Sequence, residues 1–231
     1  MIKGFSLVEI LVVLALMSLL IPMLIGNVTA SSRCSQRIIN QQKRMESIFH
    51  TVDAIKSDLT KCGMRVQEAA HTFGFPMFEH TTGSIKVIYG LGEEPLTAAC
   101  KEGDTRLPVN RNDFFSKNKE ILIYDTQMGG FEFNVIDKWE GNSLVLSGSL
   151  HNDYSEHAVA VVVKQVEYKI YQSQNTLKRK VDSGYFQPMI EEVTDFNVKY
   201  FPDACSVLYR IEIDQKEQIR GYIFLVNMVE K

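Results

Sequence analysis

The amino-terminal segment constrains this chain more than any other part of the sequence. From Phe5 to Ile25 there are 21 consecutive residues whose only charged side chain is Glu9. A helix of 21 residues is about 32 Å long, which is roughly the thickness of the hydrocarbon core of a bilayer. The sequence therefore predicts one membrane-spanning helix near the amino terminus.

The lone carboxylate of Glu9 needs an explanation, because an ionisable side chain at the centre of a bilayer costs on the order of 2.5–3.5 kcal/mol. No basic residue lies between Phe5 and Ile25. Cleavage of the chain after Gly4 would create a cationic amino group on Phe5, four residues before Glu9. Such a group can pair with the Glu9 carboxylate of a neighbouring subunit, so we expect Glu9 to act in assembly.

Two other interpretations of this segment are open. In a secretory signal, Val28-Thr29-Ala30 would be a small-residue cleavage site before Ser31, but the apolar region of such a signal has about 7–15 residues. The apolar run here is longer and carries an acid near its start. A plain single-span anchor explains the length of the run and leaves Glu9 unexplained.

The residues Gly4-Phe5-Ser6-Leu7-Val8-Glu9, with the apolar helix behind them, resemble the class III signal of type IV pilins and type II secretion pseudopilins. The resemblance implies cleavage between Gly4 and Phe5 by a prepilin peptidase and methylation of the Phe5 amino group. It also implies that the helix packs into the core of a filament, with Glu9 neutralising the amino-terminal charge of a neighbour.

A helix break is expected within this segment. Pro22 has no amide hydrogen to donate to the carbonyl of Ser18, and Gly26 follows one turn later. Pilins often carry a helix-breaking proline in this region. We therefore predict a kink or a locally weak helix between Ser18 and Gly26.

Beyond Asn27 the sequence has the period of an amphipathic helix. After a first gap of seven, apolar residues recur at alternating intervals of three and four and so form one stripe. They are Ile38, Met45, Ile48, Val52, Ile55, Leu59, Cys62, Val66 and Ala69. The pattern predicts a helix over residues 27–70 that ends between Gly63 and Ala70, with its apolar face against a globular domain.

From Ser84 onward the pattern changes to the alternation that is typical of β-strands. The predicted strands are Ile85–Tyr89, Ile121–Asp125, Phe131–Asp137, Ser143–Ser147, Ala158–Tyr171, Thr176–Val181, Val193–Phe201, Val207–Ile213 and Ile219–Asn227. Hairpin turns are predicted at Gly129-Gly130, Gly141-Asn142 and Gln174-Asn175. Residues 90–113, which include Cys100, are predicted to form a long loop.

A long helix followed by many antiparallel strands predicts an α+β fold, in which the helix packs on the β-sheet of a globular head. The predicted organisation is a leader peptide (1–4), a transmembrane or filament-core helix (5–26), its amphipathic continuation (27–70) and a β-rich head (71–231). About 160 residues beyond the helices suit one domain.

Charge and motifs narrow the classes of function. The net charge of −3 gives no general basic field for nucleic acid. The sequence has no G-x-S-x-G motif and no cysteine beside a histidine. The chain is therefore not expected to be an enzyme, and no cofactor or metal is implied.

Two polar segments are interpreted as structural. We interpret the polar run His151–His157 as a loop, and Lys178-Arg179-Lys180 as a solvated strand edge.

The four cysteines, Cys34, Cys62, Cys100 and Cys205, show no CxxC spacing. An oxidising compartment would permit a disulfide. Cys34 and Cys62 are 28 residues apart on the predicted helix, about 42 Å, and cannot pair within one chain. Cys62 with Cys100 is the preferred pair, while Cys62 with Cys205, Cys100 with Cys205, and free buried thiols are alternatives.

Segments deeper in the chain resemble PilW-like minor pilins and J-type minor pseudopilins. These segments are Asp58–Met64, Tyr168–Tyr171 with Leu177–Lys180, and Pro188–Tyr200. The resemblance implies a minor subunit near the filament tip that primes assembly or completes a tip complex. It also implies an inner-membrane protein with a single span and a periplasmic head, which later enters a pilus or pseudopilus.

The same resemblance implies the partners of the chain: other minor pilins, the major pilin, a prepilin peptidase and methylase, and an inner-membrane assembly platform. Glu9 disfavours the K-type tip pseudopilin, which usually lacks this acid. Two alternatives are a tip-located binding module for surface adhesion or DNA uptake, and a minor pseudopilin of type II secretion.

Overall fold

The computed structural model describes residues 7–141, 143–214 and 217–228. The chain divides into two compact units, the first ending at Phe49 and the second beginning at His50. Helix α1 runs from Leu7 to Lys61, so its residues up to Phe49 lie in the first unit and its last residues in the second. We call the second unit the head.

Helix α1 is continuous through Pro22 and Gly26, so the chain does not leave the helix in the region where a kink or a locally weak helix is predicted. A proline removes one amide donor, and the hydrogen bonds of the neighbouring turns still hold the helical backbone. Two side chains in this region also bond to carbonyl groups one turn back. The Ser18 hydroxyl donates to the carbonyl of Ala15 at 2.7 Å, and the Thr29 hydroxyl donates to that of Ile25.

Helix α1 ends at Lys61, before the predicted range of 63–70. Gly63 has a φ of +77°, and its amide donates to the carbonyl of Ile88 in the sheet at 2.9 Å. The main chain thus leaves the helix in order to bond a strand. A second helix, α2 (Gln67–Phe73), follows at once and ends at Gly74, whose φ is +73°.

In the described ranges the head contains twelve strands. They are β1 (Phe78–Thr81), β2 (Ser84–Pro95), β3 (Arg106–Pro108), β4 (Glu120–Asp125), β5 (Gly130–Glu140), β6 (Ser143–Leu146), β7 (Val159–Tyr171), β8 (Thr176–Val181), β9 (Gln187–Ile190), β10 (Val193–Phe201), β11 (Ser206–Ile213) and β12 (Glu217–Phe224). All nine predicted strands overlap an observed strand. The short strands β1, β3 and β9 are not among the predictions, and β2 and β3 extend into the predicted loop of residues 90–113.

The strands form two antiparallel sheets. Seven strands of the larger sheet have the order β1-β2-β7-β4-β5-β6-β3, while β8 pairs with both β7 and β9. The smaller sheet has the order β10-β11-β12. The head is therefore an antiparallel β structure with helical segments at its start, as the α+β prediction requires.

Strand β7 pairs with β2, β4 and β8 in the larger sheet, and its residues 160–163 are buried on both faces. Ala160 and Val162 point into a core cluster that also contains Ile121 and Ile123 of β4. Val161 and Val163 lie on the opposite face and are equally buried. This explains why residues 158–163 are an uninterrupted apolar run, since a strand that is covered on both faces loses the polar–apolar alternation.

The turn after α1 lies directly on β2. The amide of Gly90 donates to the carbonyl of Met64 at 2.7 Å. A Cβ atom at position 90 would lie 2.6 Å from Cγ1 of Val161 and 2.8 Å from Cβ of Arg65. Glycine at this position therefore permits the close approach of the turn to the sheet.

Replacing Gly90 with alanine is expected to lower the free energy of unfolding by about 1–3 kcal/mol, because the added methyl group overpacks this contact. The measurement is urea unfolding of the full chain in detergent micelles, followed by the fluorescence of Trp139. Gly148→Ala is the matched control, since its Cβ would meet nothing nearer than Asn134 Oδ1 at 3.5 Å. Equal unfolding midpoints for the two variants would contradict the argument.

Candidate functional site

The first functional feature is the apolar surface of α1 in the first unit. Its most apolar 18-residue window has a mean hydropathy of 2.7, and none of that window is buried. Leu7 is 76% exposed and Leu19 is 73% exposed. By length and composition, this helix is long and apolar enough to cross a membrane.

Glu9 lies in the first turn of the described helix and is exposed. Glu9 therefore belongs to the same exposed helix surface as the apolar side chains of Leu7 and Leu19. Gly4 and Phe5, the predicted cleavage and methylation residues, lie outside the described residues.

The second feature is a buried polar cluster in the head, which we call the Asp58 anchor: Asp58, Tyr89, Tyr168 and Arg179. Asp58 lies near the end of α1 and is 3% exposed. Its carboxylate accepts hydrogen bonds from the Tyr168 hydroxyl at 2.7 Å and from the Tyr89 hydroxyl at 3.1 Å. Arg179 donates to the same carboxylate through Nε at 3.0 Å and through its terminal nitrogen at 2.8 Å.

The anchor joins one helix to three strands, since Tyr89 is on β2, Tyr168 is on β7 and Arg179 is on β8. A carboxylate at this depth is tolerated because it is paired with a cation and its oxygens are hydrogen bonded. Burial, and next the charge of Asp58, raise the pKa of Tyr168, and the pKa of Tyr89 is raised by the same causes in the same order. Both phenols therefore remain protonated donors.

Asp58, Tyr168 and Arg179 fall in the segments that carry the resemblance to minor pilins and pseudopilins. The head brings these separate segments together in one contact. Arg179 corrects the prediction of a solvated basic edge, because it points inward from the same face of β8 as the buried Leu177. Two signals were available in the sequence: Asp58 lies on the apolar stripe, three residues after Ile55, and Arg179 lies two residues after Leu177.

The lysines on either side of Arg179 lie on the outer face of β8. Lys178 Nζ is 4.4 Å from the ring centroid of Tyr171, and Lys180 Nζ is 5.7 Å from that of Phe186. These contacts are cation–π pairs within the head. The alternation of β8 thus separates one structural arginine from two surface lysines.

The aromatic segment after α2 packs inside the head. The ring centroid of Phe131 lies 4.9 Å from that of Phe73 and 5.9 Å from that of Phe75. Phe78 packs at a tilted angle against Tyr200, with a centroid distance of 5.4 Å. Phe78 is buried, while Phe73 and Phe75 are half-buried against Phe131.

The polar run His151–His157 lies in a loop after β6. His151 Nδ1 is 2.8 Å from a carboxylate oxygen of Glu132, and Ser155 donates to Asp125 through both its amide and its hydroxyl. Within the described ranges, no three side chains of His, Cys, Asp or Glu are grouped so that they could hold a metal ion. The polar side chains of this loop fasten it to β4 and β5.

The preferred disulfide, Cys62 with Cys100, is not formed in the structure. All four cysteines lie within the described ranges and are free thiols. Cys62 Sγ donates to the carbonyl of Met77 at 3.2 Å, whereas Cys100 is part of the core cluster around Leu107 and Ile121. Strands β1 and β2 lie between α2 and Cys100, and they place Cys100 in a different part of the core from Cys62.

A scan against models of known protein families gives no match, and searches of curated proteins and of solved structures give no significant match either. Two features of the chain itself bear on its function: the apolar helix with Glu9, and the head, which holds the end of α1 through the Asp58 anchor.

Replacing Arg179 with methionine is expected to lower the free energy of unfolding by about 3 kcal/mol, because Asp58 then keeps a buried charge without its cation. Lys178→Met is the matched control on the same strand, with an expected change below about 1 kcal/mol. Chemical unfolding of the full chain in micelles measures both.

A second substitution separates the charge effect from lost packing. Adding Asp58→Asn to Arg179→Met removes the unpaired charge, so the double variant should be more stable than Arg179→Met alone. The free energy of unfolding is also measured for Asp58→Asn alone. If the loss in the double variant equals the sum of the losses in the two single variants, the ion pair does not determine the stability of the anchor.

Proposed function

We propose that this chain is a minor pilin-like subunit that assembles through its amino-terminal helix into a pilus or pseudopilus. The observation that carries the proposal is the combination of a fully exposed apolar helix with a single acid, Glu9, near its start. Such a surface requires either lipid or other apolar helices around it. In a filament, copies of this helix and its relatives supply that environment.

In this proposal the subunit first sits in the inner membrane with its head in the periplasm. A prepilin peptidase cuts after Gly4, and the Phe5 amino group is methylated. The helix then leaves the bilayer laterally, and the Glu9 carboxylate compensates the amino-terminal charge of an adjacent subunit. Other minor pilins, the major pilin and an assembly platform are the proposed partners.

The head supports the role of a minor subunit that primes assembly or belongs to a tip complex. The Asp58 anchor fastens the last turn of α1 to three strands of the head. The chemistry of the proposal is assembly, and it assigns no reaction to the chain itself.

The mature amino terminus tests the proposal directly. Mass spectrometry of the protein from cells that contain the assembly machinery is expected to find a chain that begins at N-methylated Phe5. A chain that begins at Met1 would contradict processing, and one that begins at Ser31 would identify the segment as an ordinary secretory signal.

Replacement of Glu9 with glutamine tests the role of its charge. Because the amide is similar in shape and carries no charge, incorporation into filaments should fall by about tenfold or more, which corresponds to about 1.4 kcal/mol. Sheared filaments are assayed by immunoblot against the membrane pool. Glu191→Gln, on an exposed turn of the head, is the control and should assemble normally. Normal incorporation of the Glu9 variant would remove the charge-pairing mechanism.

A further inference from the structure

Two cysteines lie beside the carboxyl-terminal turn of the described chain. Cys62 follows the last residue of α1 and is fully buried. Cys205 is half-buried and ends the single 3₁₀ turn between β10 and β11, with a φ of +40°. The two positions are 143 residues apart in the sequence and belong to different layers of the head.

Both thiols contact the same residue, Met228. Cys62 Sγ is 3.8 Å from Met228 Sδ, and Cys205 Sγ is 3.4 Å from the carbonyl oxygen of Met228. Met228 belongs to a 3₁₀ turn of three residues, Val226–Met228. One residue of a short turn therefore contacts one thiol through its side chain and the other through its main chain.

Hydrogen bonds fix the segment around Met228 to both cysteine-bearing elements. The amide of Leu225 donates to the carbonyl of Cys205 at 2.7 Å. The side-chain amide of Asn227 donates to the carbonyl of Thr60, two residues before Cys62, at 3.1 Å. The turn that carries Cys205 and the end of α1 thus approach each other across this segment.

The environment of the Tyr200 phenol includes both thiols. Burial raises the pKa of Tyr200, and Cys205 and Cys62 raise it further. The phenol therefore lies within electrostatic range of both sulfur atoms. Tyr200 is on β10, next to the turn that carries Cys205.

We propose that Cys62 and Cys205 are the partners of a disulfide that forms in an oxidising environment and displaces the Met228 side chain. The bond would join the end of α1 covalently to the smaller sheet. In the described chain that sheet shares no hydrogen-bonded ladder with the larger one. The inference goes beyond the proposed function, since it requires neither cleavage nor assembly.

The reaction is a thiol–disulfide exchange with a low-molecular-weight or protein disulfide as the oxidant. The Cys205 thiol is the more exposed of the two, so the oxidant reaches it first, and its thiolate attacks one sulfur of the oxidant, which expels one thiolate. The Cys62 thiol then loses its proton and attacks the Cys205 sulfur of the mixed disulfide, which expels the second thiolate. Two thiols of the head are oxidised, and the disulfide of the oxidant is reduced to two thiols.

The second step is expected to be slow and to depend on pH. Burial raises the pKa of the Cys62 thiol to about 12. The thiolate is the nucleophile, so the rate of ring closure should rise about tenfold for each pH unit below that value. The Met228 side chain further hinders the approach, because it lies against the Cys62 sulfur.

The test is oxidation of the full-length chain in detergent micelles with glutathione disulfide, followed by alkylation of the remaining thiols and peptide mapping without reduction. A linked peptide that contains Cys62 and Cys205 is expected. Four alkylated cysteines, or a link that includes Cys100, would overturn the proposal. Cys100→Ser is the control and should keep the Cys62–Cys205 link.

Met228→Ala separates this inference from a chance oxidation of exposed thiols. Removal of the thioether opens the space beside Cys62, so the linked peptide should form several times faster than in the natural chain at the same pH. The Cys34→Ser background removes the exposed thiol of the first unit. An unchanged or slower rate in Met228→Ala would show that Met228 does not obstruct the bond and would overturn the displacement.

Discussion

The buried carboxylate of Asp58 sets the arrangement of the head. A charged group at 3% exposure must be paired and hydrogen bonded, and here the donors come from β2, β7 and β8. Successive residues of a helix are 100° apart, so a shift of α1 by one residue would remove Asp58 from all of these donors. The polar contact therefore fixes the rotation of the helix end on the sheet, which apolar packing alone would leave less specific.

The turn after α1 completes this attachment with main-chain hydrogen bonds. Gly63 donates to Ile88, and Gly90 donates to Met64, so the chain bonds to β2 immediately after it leaves the helix. Side chains at the two glycines would obstruct this approach, since a Cβ at position 63 would lie 2.8 Å from Met77 Sδ. The end of α1 thus covers one face of the larger sheet. The segment between β2 and β4 covers the other face, where its residues form the core cluster around Leu107.

The sequence predicts those features that depend on local patterns. Strand β4 has a continuous apolar run, Ile121–Tyr124, and a turn that ends in glycine follows it, so its predicted and observed bounds differ by one residue. Strand β3 has only three residues, and it forms by pairing with β6. Three residues are too few to show a strand pattern in the sequence. The same limit applies to Arg179 and Asp58, which are 121 residues apart in the chain and whose pairing is a property of the fold. Cys100 is the next cysteine after Cys62 in the sequence. In the fold, however, it is the distant Cys205 that contacts the same residue as Cys62, namely Met228.

The two parts of α1 require different surroundings, because their apolar side chains are distributed differently around the helix. In residues 50–61 the apolar residues occupy one face, and Ile55 and Leu59 are fully buried in the head. In residues 7–25 apolar side chains occur all round the helix and are exposed. A helix that is apolar all round needs an apolar environment on every side, which a sheet on one face cannot provide. In the function proposed above, lipid would provide it before assembly, and a bundle of similar helices would provide it afterwards. Glu9 is the residue for which these two environments would differ most, because in lipid its charge is costly, while in a bundle of cleaved subunits a cationic amino group would lie within reach.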